Sequence, residues 1–278
     1  MDGLAVRPGG TYLDATVGLG GHSREILRRS SPDGKLYGTD QDAAALNAAK
    51  EALSEFSARL ELAQSNFSLF DNALPGLAPG ALDGALADLG VSSLQLDTPE
   101  RGFSFQSEGP LDMRMDPSQG ETALDLLQRV SPGELEACLR EGGEERFARK
   151  LSRVLTDRAA EFRTTADLAQ AVARCVPRRG KSHPATRVFL ALRMAVNREM
   201  ENLKVFLEKA PAYLKPGGRL VVISFHSTED RIAKWFYRAE DWKEKMRPVI
   251  KSPLEADDEE QRINPRSRSA KMRIFEKI

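Results

Sequence analysis

Over residues 1–99 the chain alternates short β-branched or apolar runs with longer amphipathic ones, and turn-forming residues close each pair. A hydrophobic period that switches between two and 3.6 residues marks strands joined by crossover helices, hence a parallel sheet in a doubly wound α/β fold. The pattern predicts strands over 11–16, 35–39, 60–63 and 82–87, with helices over 23–29 and 42–56. Further on, a helix over 203–214 leads through a Pro216-Gly217-Gly218 turn into a strand over 219–224, and 271–276 predicts a last, antiparallel strand.

Between these blocks the β-branched runs vanish and helical spacing takes over, at 122–127, 132–140, 146–162 and 165–175. The expected division is an α/β core over 1–99 and 200–278, interrupted by an all-helical domain over 100–199 that recognises the substrate. With 278 residues, a core of this kind plus an insertion is reasonable. The entrance to the insertion, 101–117, is rich in Gly, Pro, Ser and Met. It predicts a loop over the site, with the composition of a mobile segment.

Composition narrows the class. Hydrophobic residues at 41% and charged residues at 29% are ordinary globular values, and no apolar run approaches the ~20 residues that span a bilayer. The first ten residues lack the layout of a secretory signal, so the expectation is a cytoplasmic protein with no membrane partner. Cys138 and Cys175 stand far apart without a CxxC spacing, which fits neither a zinc site nor a disulfide framework, and both are expected to be buried thiols. Three histidines in the whole chain leave no rich metal site, so no metal is expected.

A net charge of zero argues against a uniformly basic nucleic-acid binder, but the charge is unevenly spread. Arg174, Arg178, Arg179, Lys181, Arg187, Arg193 and Arg198 follow one another with no acid between them, and Arg262, Arg266, Arg268, Lys271 and Arg273 repeat the pattern in the tail. Such runs read either as a phosphate groove or as a solvated helix face.

The strongest local signal is Asp14-Ala-Thr-Val-Gly18-Leu-Gly20-Gly21-His22, where the first strand turns into the first helix. Glycines there let backbone amides approach a ligand closely. Asp40 closes the next strand about 20 residues on, where a ribose needs an acceptor; alternatively Asp40 or Asp42 caps the following helix. A nicotinamide dinucleotide and S-adenosylmethionine both suit this arrangement. The glycine spacing departs from G-x-G-x-x-G, and a positive sulfonium suits the acids Asp14 and Asp88 at two strand ends, which favours S-adenosylmethionine. The competing readings are an NAD-dependent oxidoreductase and a non-catalytic RNA-binding assembly factor.

Six ordered blocks carry a resemblance over nearly the whole chain: DATVGLGGHS at 14–23, ADLGVSSLQLD at 87–97, RGFSFQSEGPLDMRMD at 101–116, HPATRVFLALRMAVNRE at 183–199, SFHSTEDR at 224–231 and NPRSRSAK at 264–271. The chain resembles the bacterial cytosine-N4 methyltransferases that act on a 16S ribosomal RNA cytidine at the decoding centre. The resemblance implies a Rossmann-like class I methyltransferase fold, S-adenosylmethionine as cofactor, and 16S ribosomal RNA in the small subunit as partner. It also implies that Gly20, Gly21 and His22, beside Gly18, meet the methionine end of the cofactor and that Asp40 holds its ribose. Phe67 flanks the adenine on the same basis, and Asp88 and Gln95 complete the pocket. Read as structure alone, Phe67 is a core aromatic and Gln95 a surface amide. A His-x-Pro-Val-Leu stretch usual at the start of family members has no counterpart in this sequence.

A cytidine amine is a weak nucleophile because its lone pair is delocalised into the ring, so positioning should dominate. Asp88, Ser92 and Ser93 are the candidate acceptors for the amine's hydrogens. The loop reads Asp88-Leu-Gly-Val-Ser-Ser rather than D-P-P-[YF], so stacking roles known from other amino methyltransferases do not transfer. For the substrate, the candidates are Arg178, Arg179, Lys181, Arg187 and His226. His226 also reads as a helix cap bonded to Glu229 or Asp230, and Arg187, Arg193 and Asn197 face either RNA or the core. The oligomeric state stays open, a homodimer included.

Overall fold

The structure is a computed structural model that describes residues 1–144, 146–177 and 183–278. Its backbone clusters into two compact units, one of residues 1–90 with 200–278 and the other of residues 91–199.

In the first unit, β1 (Thr11–Asp14), α1 (Gly21–Arg29), β2 (Lys35–Asp40), α2 (Ala43–Ala52), β3 (Leu60–Gln64), α3 (Phe70–Ala73) and β4 (Leu82–Asp88) follow in order. All four strands run parallel. The predicted second helix is shorter than expected: it ends at Ala52 and a 3-10 segment, Ser54–Arg59, replaces its last turn.

The second unit holds α4 (Ser93–Asp97), α5 (Ala123–Arg129), α6 (Pro132–Glu141), α7 (Ala148–Asp157), α8 (Thr165–Cys175) and α9 (Ala185–Val196). Four of these starts are closed by reciprocal side-chain caps, Ser92 with Gln95, Thr122 with Asp125, Ser131 with Glu134 and Thr164 with Asp167. Each satisfies amides that a helix start would otherwise leave open. One core, built from Leu126, Leu135, Leu151, Leu155, Leu168, Val172, Val188 and Leu192 among others, fills the unit. The helix expected over 146–162 breaks at Arg158, and a 3-10 turn, Ala159–Glu161, follows.

The chain then re-enters the first unit through α10 (Glu199–Tyr213), β5 (Leu214–Ser224), α11 (Ser227–Trp235), β6 (Met246–Pro248), β7 (Leu254–Glu255), α12 (Asp258–Ile263) and β8 (Lys271–Lys277). The sheet order is β3-β2-β1-β4-β5-β8-β6, with β7 paired to β8. β5 is parallel to β4, and β8 is antiparallel to β5 as the sequence predicts. This is the Rossmann-like order expected of a class I methyltransferase, with an all-helical insertion.

Period-two alternation explains why helices cover both faces. Leu13, Ala85, Ala87, Leu220 and Val222 pack with Leu203, Phe206 and Leu207 of α10. Their neighbours Tyr12, Leu86 and Val221 pack the other way, with Ile26 and Leu27 of α1 and Leu53 after α2. The predicted Pro-Gly-Gly turn is instead a bulge inside β5. Leu82 pairs with Leu214 and Gly84 with Arg219, so residues 215–218 loop out opposite Asp83. Buried Asp83 anchors that bulge, accepting from Lys215 Nζ and from the amide of Thr11, each at 2.8 Å, and pairing with Arg7.

A further sequence expectation needs correction. Cys138 and Cys175 are free but only half-buried. Cys138 lies near the end of α6 and Cys175 closes α8, where helix geometry leaves each side chain at the rim of the core. Residues 101–117 form the irregular segment expected of them, and side chains hold much of it in place. Leu111, Met113 and Met115 are buried. Arg101 donates to the carbonyls of Arg114 and Met115 at 2.9 Å each. Asn197 Oδ1 accepts from Met115 N, and its Nδ2 donates to the carbonyls of Met113 and Arg193, each at 2.8 Å. A carboxamide presents a donor and an acceptor in one plane, which is what an extended backbone needs from a side-chain partner.

Asn197→Ala should therefore lower stability by about 1–3 kcal/mol, because several buried backbone groups lose their partner at once. Urea unfolding measures this, and an unchanged midpoint would show that water replaces the amide.

Candidate active site

In a doubly wound sheet, ligands gather beyond the carboxyl ends of the strands where the strand order reverses. Here the reversal falls between β1 and β4, which lie side by side, and each ends in an aspartate. Asp14 is fully buried; its Oδ2 accepts from Ser23 Oγ at 2.7 Å and its Oδ1 from the amide of Thr16 at 3.2 Å. Burial outweighs these bonds and pushes its carboxyl up to about 6.

The turn from β1 into α1 needs two left-handed residues, Gly18 at φ +54° and Gly20 at φ +85°. A β-carbon on Gly20 would also come within 3.1 Å of Leu53, whereas at Gly18 and Gly21 it would meet nothing within 4 Å. The backbone at Gly18 and Gly21 is thus bare on its outer side. Gly20 caps α1 without a side-chain acceptor.

Asp40, at the end of β2, holds the turn. Its Oδ2 accepts from the Gly18 amide at 2.8 Å and its Oδ1 from the Asp42 amide at 2.9 Å. Burial raises its carboxyl above the usual range, against the pull of these bonds. The helix-cap reading belongs to Asp42, whose Oδ1 accepts from Ala44 N at 3.0 Å. Asp40 is left as a strand-end acid bonded to the glycine turn.

At the end of β4, Asp88 Oδ2 lies 3.3 Å from His22 Nε2, the second residue of α1. The bond to Asp88 raises the pKa of His22 although burial opposes it. Asp88 Oδ1 is enclosed and has no hydrogen-bond partner among the described residues. An enclosed carboxylate oxygen without a donor is costly unless a ligand supplies one. Thr16, which the sequence reading passed over, fixes this acid: its Oγ1 accepts from the Asp88 amide at 2.7 Å. The sequence signal was a lone hydroxyl side chain in an otherwise apolar, glycine-rich turn.

Gly18, Gly20, Gly21, His22, Asp40 and Asp88 therefore converge within the first unit. Phe67, in a 3-10 turn after β3, is half-buried and meets Phe206 edge-to-face at 5.6 Å, so part of its ring serves the core. His226 is the N-cap of α11: its Nδ1 accepts from Glu229 N at 3.4 Å and its Nε2 lies 3.1 Å from Glu229 Oε1, as its cap reading foresaw.

Taken by itself, the inserted unit accounts for the remaining candidates. Ser92 Oγ accepts from Gln95 N at 3.2 Å and Gln95 Oε1 from Ser92 N at 3.0 Å, so both side chains serve the cap of α4, and Ser93 is exposed on its first turn. Arg187 is exposed, 3.5 Å from buried Glu144. Arg193 forms a two-pronged pair with Glu199 at 2.7 and 2.8 Å, and with Asn197 it belongs to the packing of this unit. Arg178, Arg179 and Lys181 lie outside the described residues.

Asp14 carries a pH signature. Its carboxyl releases a proton at about 6 when folded and near 3.8 otherwise. Between those values the folded chain binds more protons, so this contribution to stability is full below the lower value and lost as pH rises through the upper one. Asp14→Asn should remove that fall, which unfolding curves across the interval would reveal; parallel wild-type and variant slopes would refute it.

The MraW methylase family matches residues 1–278 of this chain. The protein named ribosomal RNA small subunit methyltransferase H from Nostoc sp. (strain PCC 7120) is 50% identical over 280 residues, which cover 100% of this chain and 89% of that protein. Its namesake from Trichlorobacter lovleyi is 48% identical over 298 residues, 100% of this chain and 95% of that one. Among solved structures, Aeropyrum pernix fibrillarin with natively bound S-adenosyl-L-methionine aligns at a TM-score of 0.45 and 10% identity, over 97% of this chain and 67% of that chain. A family match along the whole length, together with relatives at half identity, means that this chain belongs to the MraW methylase family.

Proposed function

We propose that the protein transfers the methyl group of S-adenosylmethionine to the N4 amine of a 16S ribosomal RNA cytidine, at decoding-centre position 1402. The observation that carries the chemical reading is Asp88 Oδ1, an enclosed acceptor without a donor at the strand-order reversal. The family relationship and the printed names of the relatives supply the substrate class.

The residues present fit such a cofactor. Gly18 and Gly21 have open space where side chains would stand, so a ligand can approach the backbone there closely; the Gly18 amide itself is held by Asp40. Asp40 retains lone-pair capacity for ribose hydroxyls beyond the backbone amides it already accepts. Asp14 and Asp88 put negative charge where a cation is to be held. Phe67 offers the exposed part of its ring to the adenine. When bound, S-adenosylmethionine supplies an electrophilic methyl group on a positively charged sulfur.

Asp88 is the group we assign to the cytidine amine. A carboxylate oxygen accepting one amine hydrogen localises the nitrogen lone pair, and the same oxygen is placed to receive the proton that methylation releases. His22 fixes the orientation of Asp88 through the opposite oxygen. Ser92 already has its hydroxyl in a helix cap, and Asp88 is preferred over Ser93 because its Oδ1 is enclosed without a donor among the described residues. The inserted unit is assigned to RNA recognition, with Arg187 and the basic run of Arg178, Arg179 and Lys181; His226 is assigned to the substrate side of the core.

Incubating small-subunit particles with the protein and heavy-methyl S-adenosylmethionine should place label on one cytidine, mapped by mass spectrometry, and Asp88→Asn should cut that rate at least about tenfold. Label on another nucleotide, or none with the wild type, rejects this function. Asp40→Ala should weaken cofactor binding roughly ten- to a hundredfold in calorimetry, as expected for loss of a charged hydrogen-bond partner; an unchanged affinity rejects its ribose role.

A further inference from the structure

The outer face of α11 brings an exposed aromatic ring and three cations together. Arg231, Lys234, Trp235 and Arg238 follow at spacings of three, one and three, so they share one side of the helix and of the 3-10 turn, Phe236–Arg238, that extends it. All four are exposed. Trp235 is 43% exposed, although its neighbours Ile232, Phe236, Tyr237 and Trp242 all pack against the core. Trp235 stands outside the core that these neighbours join.

Two cations flank the ring: Arg238 Cζ lies 4.1 Å and Lys234 Nζ 4.8 Å from its centroid. The nearby acids are engaged elsewhere, Asp230 with Arg273 at 2.7 Å and Glu240 with Lys243 at 2.8 Å, while Glu229 is buried in the helix cap. Among the described residues, no carboxylate lies within ion-pair distance of Arg231, Lys234 or Arg238. An open aromatic face with an arginine stacked on it and cations alongside is the surface on which a nucleic-acid base stacks while its phosphates are neutralised.

We propose that this face of α11 docks single-stranded ribosomal RNA, with a base stacking on Trp235 or on the Arg238 guanidinium and backbone phosphates on Arg231 and Lys234. The inference rests on the RNA substrate proposed above and names a contact on the core unit itself, apart from the inserted helices. His226 caps the start of α11 at the reactive edge of the sheet, and at 1.5 Å per residue Trp235 sits roughly 13 Å further along. That span corresponds to about four stacked nucleotides, so the docked segment flanks the methylated base.

Trp235 and Trp242 are the only two tryptophans, so a Trp242→Phe background makes Trp235 the sole indole reporter. Titrating it with a single-stranded RNA oligonucleotide of the sequence flanking the target cytidine should quench its fluorescence, less so as salt rises. Trp235→Ala should raise KM for small-subunit particles by about five- to a hundredfold, the range for losing one base stack, with kcat nearly unchanged. Trp235→Phe should restore most of the loss, and Arg238→Gln should lower the salt slope by about one. Quenching by ribosomal proteins but not by RNA, or an unchanged KM in Trp235→Ala, overturns the docking proposal while wild-type methylation stands. Absence of wild-type methylation would instead strike the proposed function itself.

Discussion

The site depends on how the chain leaves β1. Asp14 ends the strand with its carboxylate buried, and the next residues must reverse into α1 without covering the space above the sheet. Left-handed glycines at 18 and 20 make the turn possible, and the bond from the Gly18 amide to Asp40 fixes it to the neighbouring strand. Without a bond of that kind, a bare glycine turn would sample many conformations, and ordering it on ligand binding would cost entropy. Asp40 has already met that cost in the folded protein.

From this constraint follows the unusual charge arrangement at the reversal of strand order. Two carboxylates end adjacent strands, and a single histidine joins one of them from the first turn of α1. Burial acts on Asp14 and Asp40 in the same direction, toward the neutral form. A cation arriving in this crevice would favour the ionised forms, so ligand binding and acid ionisation reinforce each other. Asp88 completes the arrangement: Thr16 holds its backbone, His22 holds one oxygen, and the other oxygen is left for a donor that none of the described residues provides.

The inserted unit shows the opposite use of polar groups. Nearly every hydroxyl and carboxylate at its helix starts is spent on caps, and Asn197 and Arg101 are spent on the backbone of the 101–117 segment. Polar side chains here stabilise shape, whereas in the core unit the end of β4 retains an unsatisfied one.

The sequence alone determined the order of six of the eight strands and of the main helices between them, because period-two and period-3.6 patterns are local and their boundaries carry turn or cap residues; the short β6 and β7, and α11 and α12, were not read from it. It also determined the glycine turn and the acids at the ends of β1, β2 and β4, since those residue types serve few other purposes in such places. Tertiary structure alone decided what long-range contacts control. The composition of 101–117 predicts a loop, but that Asn197, more than eighty residues on, anchors it depends on the fold. The Pro-Gly-Gly triplet reads as a turn and becomes a bulge because Asp83 of the adjacent strand gathers Lys215. Which of Asp40 and Asp42 caps α2, and which oxygen of Asp88 is left unpaired, depend on distances between segments that no periodicity encodes.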